Sequence, residues 1–456
     1  MTSLPIIVVG AGAVGTATAL ALRRRGEKVL LLEQFFIGHQ RGSSHGPSRI
    51  IRYLYESERY TLMMPNAYKL WAKLEDEQNV NLNTKCGILN ISSAARKSVY
   101  TDILSKNNFN FSDKIDHLPM KTCEEFGYVL EEEGGVLDAS ACLRASFDQF
   151  LKIGGKFIDG FKLKDFQDDG KETGFFKDRR QASMLKLTLG NRINTEAKHI
   201  RVGVKFRRDN ASKLPQRFSF LELFFSSWRF STFSQRKILS KTVTVYSTDG
   251  KSHVGRKLIL ACGAWAKKIL AKTGLEIPLE VIKTEVSYWK VKPDFAGKYD
   301  ISCFPAGIID VNNEETGEIY HYYWTPVKEY PNLIKISYHG TYRDEIDPDE
   351  RDDPKKESSE RAKDQREDHK RIIDLHFEGI DSSNPVIVEP CMYTNTPDND
   401  FILDVHPTMK NVVIGAGFSG HGFKMSPETG EILAELALEK EPTYDMSFFS
   451  LDRFNK

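Results

Sequence analysis

The chain has 456 residues, 40% of them hydrophobic, with 64 Lys and Arg against 63 Asp and Glu. That length allows two or three domains with an ordinary globular core, and the balanced charge predicts no nucleic-acid partner. No apolar run approaches the roughly 18 residues of a membrane span, and the six cysteines are scattered without a CxxC pair, so neither a zinc site nor a disulfide framework is expected and a reducing compartment is the default.

Residues 6–9 are a short β-branched run, the composition of a strand buried on both faces. They lead straight into Gly10, Gly12 and Gly15 spaced as GxGxxG, then into a helix rich in Ala and Leu, and then into a second apolar strand at 29–32 that ends on Glu33. Each part has a physical role in holding a dinucleotide. The first glycine makes the tight turn, the second admits the pyrophosphate to the backbone, and the third lets helix pack on strand. The helix N-terminus offers free N–H groups and the positive end of a dipole. Glu33 stands about 20 residues on, where a carboxylate binds ribose hydroxyls. The motif alone does not separate NAD from FAD. With the first strand this early, no signal or transit segment is expected, and the last three residues, Phe454, Asn455 and Lys456, do not form an SKL-type peroxisomal address.

Residues 33–53 form a polar, glycine-containing loop that carries Ser43, Ser44, His45, Arg49 and Arg52. Such basic clusters are most often solvated loops. Here the glycines and serines favour an ordered one, with a role toward cofactor or substrate. Helices are expected at 60–78, 98–107 and 139–155, and strands at 86–91 and 156–158. Residues 167–239 change character: they are basic, aromatic and without periodicity, and read as an insertion. Strands at 242–247 and 257–262 are expected to be joined by the turn signal Asp249-Gly250. The strand-to-helix junction at 262–265 offers a second approach to a dinucleotide.

Residues 281–291, 319–326 and 333–339 read as strands. Period-2 alternation puts Lys335, Ser337 and His339 on one face and Tyr338 on the other. Polar faces of this kind are usually solvated. The mixed-charge run at 344–371 reads as an exposed loop and a solvated helix. Near the end, Gly415, Gly417, Gly420 and Gly422 make a loop that lets backbone approach a flat ring. Ser426 and Pro427 are expected to open a helix as N-cap and N1.

Five stretches carry a more specific signal: LLLEQFF at 30–36, RGSSHGPSRIIR at 41–52, KISYH at 335–339, CMYTNTPDNDFILDVHP at 391–407 and VVIGAGFSGHGFK at 412–424. In them the chain resembles the monomeric sarcosine oxidase family, and most closely its peroxisomal sarcosine oxidase and L-pipecolate oxidase branch. The resemblance spans most of the chain outside 167–239. It implies a mixed α/β chain with a Rossmann-type FAD-binding domain and a second, substrate domain built on an antiparallel sheet. The FAD-binding domain would comprise 1–85, 136–166, 240–275 and 394–445, and the substrate domain 86–135 and 276–393. Residues 167–239 would be a basic, poorly ordered insertion.

The resemblance further implies oxidation of a secondary amino acid by oxygen, to an imine and hydrogen peroxide. Residue by residue, Cys391 matches a cysteine joined to FAD by an 8α thioether. Arg52 and Lys424 match the pair that holds the substrate carboxylate, and Lys335 the lysine that activates oxygen. His45 and Arg49 match residues lining the flavin ring, and Tyr323 and His339 match side chains facing the substrate. Gly10, Gly12, Gly15, Glu33, Ser43, Ser44 and Gly420 belong to the cofactor cradle, and no metal is implied. The partners expected are a small secondary amino acid and oxygen, without nucleic acid or membrane, for a monomer located in the peroxisome, or otherwise the cytoplasm. The alternatives are a non-covalent FAD amino-acid oxidase or dehydrogenase with another substrate, and an inactive flavin-binding relative.

Overall fold

A run of β-branched residues makes a central strand only where both faces find apolar neighbours. Ile6–Val9 meets that condition, with all four residues buried. Ile6 and Val8 enter a core shared with the helices Ala13–Arg24, Glu58–Gln78, Ala139–Lys152 and Ser426–Ala437. Ile7 and Val9 enter a second core on the opposite face, with Leu258, Leu260 and Trp265. The computed structural model describes residues 4–169, 242–312, 319–340, 345–353 and 360–455. Apart from Gln167, Asp168 and Asp169, the segment 167–239 expected as an insertion lies outside the described residues.

The six-stranded sheet runs in the order Ile402–Val405, Val412–Ala416, Lys257–Leu260, Ile6–Val9, Val29–Leu32, Lys156–Ile158. All its pairings are parallel except that of Ile402–Val405 with Val412–Ala416. Parallel alignment of Ile6–Val9, Lys257–Leu260 and Val412–Ala416 opens three loops at one carboxyl edge. These are the glycine turn at Gly10, the junction at Cys262, and the glycine loop from Gly417. Ligands bind at such an edge in doubly wound sheets.

A nine-stranded sheet stands beside it. Its centre is the antiparallel set Glu280–Val291, Leu333–Tyr338, Ile319–Thr325 and Ala306–Asn312, with Ile387–Asn395 paired along Glu280–Val291. Trp289, Trp324, Ile334 and Ile336 pack one face against Ile372, Ile373 and Phe377, at and just past the end of the helix Glu360–His376. Lys335 and Ser337 lie on the other face as the alternation predicts, but both are buried rather than solvated.

Two expectations change in detail. The turn at Asp249-Gly250 joins Val243–Ser247 to Ser252–Gly255, not to Lys257–Leu260. The latter strand belongs to the parallel sheet, because its three buried apolar residues, Leu258, Ile259 and Leu260, need cover on both faces. The last helix begins at Ser426 itself, with Met425 at the cap position and no side-chain cap, so Pro427 sits one place further in.

The glycine turn leaves no room for a side chain. Gly10 has φ +101°, and a Cβ there would collide with the carbonyl of Ala261. A Cβ on Gly15 would collide with the carbonyl of Gly10, which pins the helix Ala13–Arg24 against the sheet edge. Overpacking against backbone typically costs about 1–3 kcal/mol and at times more. Gly15→Ala is therefore expected to lower stability by about 3 kcal/mol in urea unfolding of the purified chain. An unchanged unfolding midpoint would mean that the helix can move away without cost.

Candidate active site

The carboxyl edge of the parallel sheet and the polar face of the large sheet enclose one cavity of about 1330 Å³. At its first end, Gly12 is the cap position of the helix Ala13–Arg24 and supplies no side-chain cap, so the first-turn N–H groups look for partners elsewhere. Ser44 Oγ takes one, from Ala13 N–H at 3.0 Å, and a Cβ on Gly12 would press on that hydroxyl. Glu33 ends the next strand. Its Oε2 accepts from Ala11 N–H at 2.6 Å and its Oε1 from Phe35 N–H at 3.1 Å. Burial pushes the Glu33 carboxyl up, and those N–H groups oppose the shift.

The loop after Glu33 is fastened by its own polar side chains. Ser43 Oγ donates to Met392 O at 2.7 Å, and His45 Nε2 lies 3.1 Å from Pro390 O. These two contacts bracket Cys391, which is buried at the cavity wall. Burial, then the positive charge of Arg49, pushes His45 down. Arg49 donates to the carbonyls of Ser48 at 2.7 Å and Ser43 at 3.1 Å, and its guanidinium lies 5.5 Å from the Phe423 ring.

At the second end, Arg52 and Lys424 converge on one aromatic ring. The Arg52 guanidinium stands 4.8 Å from the Tyr55 ring centre and the Lys424 ammonium 5.4 Å from it. Arg52 also reaches Asn90 Oδ1 at 3.3 Å. Among the described residues neither cation forms an ion pair with a carboxylate. Burial, then Arg52 and Arg49, pushes the Lys424 ammonium well below its ordinary range. Two like charges without an ion-paired carboxylate raise each other's cost, so this corner favours an arriving anion. His339 lies nearby, its Nδ1 3.1 Å from Tyr393 Oη and its ring 6.4 Å from that of Tyr323. Burial, with positive neighbours adding to it, holds His339 well below the usual histidine range, so it is neutral. Gly420, at φ +75°, is held against the His339 and Tyr393 rings, where a Cβ would collide with both.

Most of the residues singled out from sequence face this cavity, but Gly15, His45 and Lys335 stand behind its wall. Lys335 is buried, its Nζ bonded to Ser48 Oγ and 3.2 Å from Glu329 Oε1, and Ser48 is what the cavity meets. Burial pushes Lys335 down, and Glu329 opposes that.

Sequence reasoning missed Tyr55, Tyr393 and the cluster of Tyr100, Asp310 and His321, all on the cavity wall. Tyr393 sits inside a quoted motif. Asp310 and His321 come together only through the strand register, which no local pattern encodes. A bound dinucleotide fits what is present: a glycine cradle without room for Cβ atoms, an uncapped helix end, a carboxylate at the next strand, and buried Thr394 Oγ1, Asn395 Oδ1 and His421 Nδ1 with no hydrogen-bond partner.

Glu131 was also missed. Wholly buried, it accepts Tyr53 N–H at 2.7 Å and Leu54 N–H at 3.1 Å, fixing the backbone directly after Arg52. Burial pushes its carboxyl up from 4.5 to about 7, against those two N–H groups and Arg52. The folded state therefore binds the proton more tightly than the unfolded state, and stability is lost as pH rises from the unfolded to the folded value. Titrating Glu131 should remove about 3 kcal/mol of unfolding free energy across that window. Glu131→Gln should flatten that part of a stability-versus-pH curve, and identical curves for parent and variant would show that the carboxyl does not titrate there.

The family model for FAD dependent oxidoreductases matches residues 5–188 and 232–436. Peroxisomal sarcosine oxidase of Mus musculus is 34% identical over 98% of this chain and 96% of its own length. Monomeric sarcosine oxidase of Bacillus sp. (strain B-0618) is 28% identical over 99% of this chain and 96% of its own. Among solved structures, the open form of NikD, an unusual amino acid oxidase essential for nikkomycin biosynthesis, superposes with a TM-score of 0.68 at 18% identity, covering 99% of this chain and 98% of that one. L-proline dehydrogenase from P. horikoshii does so with a TM-score of 0.66 at 18% identity, covering 99% and 98%. These two show the shared fold, and the extent of the family match and of the mouse relative shows the family: the chain belongs to the FAD dependent oxidoreductases.

Proposed function

We propose that this chain oxidises secondary amino acids of the sarcosine, L-pipecolate or L-proline type, giving an imine and hydrogen peroxide. The observation that carries the reading is the pair of cations, Arg52 and Lys424, set on one tyrosine ring without a carboxylate partner. An amino-acid carboxylate is the anion that satisfies both, and binding it fixes the adjacent carbon and nitrogen in one orientation. FAD, when bound, supplies the two-electron acceptor and passes the electrons to oxygen. The names of the mouse and Bacillus relatives support the substrate class.

The remaining residues are given roles on the same footing. Gly10, Gly12, Gly15, Glu33, Ser43, Ser44 and Gly420 form the cofactor cradle. Tyr323 and His339 shape the substrate side, while His45 and Arg49 hold the loop against the strand of Cys391. Lys335 keeps a buried cation one hydroxyl away from the cavity, and we assign it the oxygen side. The FAD-binding domain is taken as 1–85, 136–166, 240–275 and 394–445, and the substrate domain as 86–135 and 276–393. Those four segments supply all the strands of the parallel sheet among the described residues, which supports the division. A peroxisomal location and a monomeric state follow the names of the relatives.

Cys391 is proposed as the point of covalent attachment. Its support is position: a buried thiol on the cavity wall, its strand held on either side of it by Ser43 and His45. Acid-precipitated protein should then stay yellow, and its mass should exceed that of the bare chain by one FAD. Yellow supernatant instead would favour the non-covalent alternative.

The direct test of the whole reading is the visible spectrum. Anaerobic sarcosine, L-pipecolate or L-proline should bleach the flavin bands, and no bleaching by any of them would leave the two alternatives, an enzyme with another substrate and an inactive relative. For the clamp, Arg52→Ala and Lys424→Ala should each weaken (methylthio)acetate, which keeps the carboxylate but has sulfur in place of the amine. One charge-assisted contact is worth roughly 1.5–3 kcal/mol, or about 10- to 150-fold in affinity. Unchanged affinity in both would put the carboxylate elsewhere.

A further inference from the structure

The large sheet places a second charged group beside the clamp, on the same face. Asn90, which Arg52 touches, pairs with Ile308, Ile308 with Tyr323, and Tyr323 with Ser337, so these four form one row across the strands. The next row along holds Asp310 opposite His321, and His339 N–H bonds to His321 O at 2.6 Å. Rows on one face are about 7 Å apart. A ligand with its carboxylate at the Arg52 row can turn its nitrogen toward the His321 row, since both rows line the same cavity.

His321 is built as an oriented imidazole. Its Nδ1 lies 2.6 Å from Asp310 Oδ1, and the other carboxylate oxygen accepts Tyr100 Oη–H at 2.6 Å. A carboxylate in that position only accepts, so the proton of the neutral ring sits on Nδ1, and Nε2 keeps its lone pair. No described residue partners Nε2. Asp310 is held below the usual carboxylate range: burial alone would raise it, but His321, Tyr100 and Arg96 outweigh burial. The carboxylate therefore stays charged and keeps accepting the Nδ1–H of the ring.

A secondary amino acid enters as an ammonium zwitterion, and its nitrogen must lose a proton before the carbon beside it can give up electrons. The cavity's other imidazoles are poor acceptors. His339 is neutral and held well below its ordinary range. His421 is pushed down to about 3, and His39, by the glycine turn, to about 4. Neither His339 nor His421 forms an ion pair with a carboxylate among the described residues. We propose that His321, held by Asp310, accepts the proton of the substrate ammonium. The N–H bond of the ammonium breaks, its electron pair stays on the substrate nitrogen, and the proton moves to Nε2. The Nδ1–H bond to Asp310 remains in place, and the half-exposed ring returns the proton to solvent afterwards. Asp310 is then a positioning residue, with Tyr100 and Arg96 fixing its charge; Arg96 is in turn paired with Glu56. The charged groups around His321 are Asp310 and Arg96 beside it and Arg52 and Lys424 on the cavity wall, where the neutral imidazoles of His339 and His421 also lie. The proposal rests on the oxidase reading above and adds the proton's destination to it.

The experiment is stopped-flow flavin reduction by saturating substrate, without oxygen, from pH 6 to 10, on the holoenzyme and on His321→Gln and Asp310→Asn. Removing a proton acceptor typically costs about 10²–10⁴-fold. His321→Gln should reduce the rate about 100-fold at pH 7. The gap should close toward pH 10, where solvent deprotonates the amine unaided, so the acid limb of the profile moves upward. Asp310→Asn should move it the same way and less far. Affinity for (methylthio)acetate, which carries no ammonium proton, should stay within about threefold in both variants, showing fold and clamp intact. A parent reduced by substrate whose acid limb does not move in His321→Gln overturns the proposal and leaves the oxidase reading standing. A loss of equal size at every pH makes His321 structural and also overturns it. If Lys424 takes the proton instead, Lys424→Met will move the acid limb and His321→Gln will not. A parent that no secondary amino acid reduces removes the oxidase reading and this inference together.

Discussion

The fold turns on a contact with no space in it. The carbonyl of Gly10 occupies the volume a Gly15 Cβ would need, and the carbonyl of Ala261 occupies that of a Gly10 Cβ. Helix and sheet edge are therefore closer than any side chain allows, and the helix N-terminus arrives at the carboxyl edge with no side-chain cap from Gly12, Ser44 Oγ taking one of its N–H groups. Ala261 lies just past the strand Lys257–Leu260, so a residue far along the sequence completes the turn that the first strand begins. The glycine loop after Val412–Ala416 reaches the same edge because its strand is parallel to both. Backbone from three distant parts of the chain thus forms one cradle, and only glycine at the contact points permits it.

The large sheet solves a different problem, that of burying polar side chains. One face is filled by tryptophan, tyrosine and isoleucine, and the other turns toward the cavity. Polar groups on a covered face must be paired, or their desolvation is uncompensated. Lys335 has Glu329 and Ser48, His321 has Asp310, and His339 has Tyr393. Arg52 and Lys424 are exceptions to this pattern, and they share a ring rather than a carboxylate. Where neighbouring groups are matched, two cations without a carboxylate ion pair among the described residues make this corner favourable to an anion. Among the described residues, Asp310 also separates His321 from His339 and His421, which form no ion pair with a carboxylate.

What could be read from the sequence divides along the same physical line. Features set by short-range sterics were legible: the strand Ile6–Val9 from its β-branched run, the turn from its glycines, the alternation that put Lys335 and Ser337 opposite Tyr338. Features set by pairing between distant strands were not. Ser252–Gly255 was overlooked as the partner of Val243–Ser247 because its residues carry little strand signal, while the strongly apolar Lys257–Leu260 drew the assignment away. The helix at Ser426 starts without a side-chain cap because tertiary contacts bury Ser426, which a capping rule does not anticipate. In the site, the resemblance marked Arg52, Lys424, Lys335 and Cys391. It gave no sign that Lys335 stands a layer back behind Ser48, or that Tyr55 carries both cations.

The strand Ile387–Asn395 joins the two sheets' chemistry. It pairs with residues Glu280 to Tyr288 of the strand Glu280–Val291, so its register is set within the large sheet. Its carbonyls at Pro390 and Met392 are also bonded by His45 and Ser43, from the loop that follows the parallel strand Val29–Leu32. Cys391 is therefore positioned from both sides at once: the ladder sets its height along the sheet, and the loop sets its distance from the glycine edge. Tyr393, two residues on, points to the same face and meets His339 and Gly420. A shift of one residue in this strand would turn Cys391 and Tyr393 out of the cavity together. The nine paired positions along Glu280–Val291 resist that shift far more firmly than the loop contacts alone could. The antiparallel ladder is thus what holds a thiol at one end of the cavity and a tyrosine–histidine pair toward the other in fixed relation.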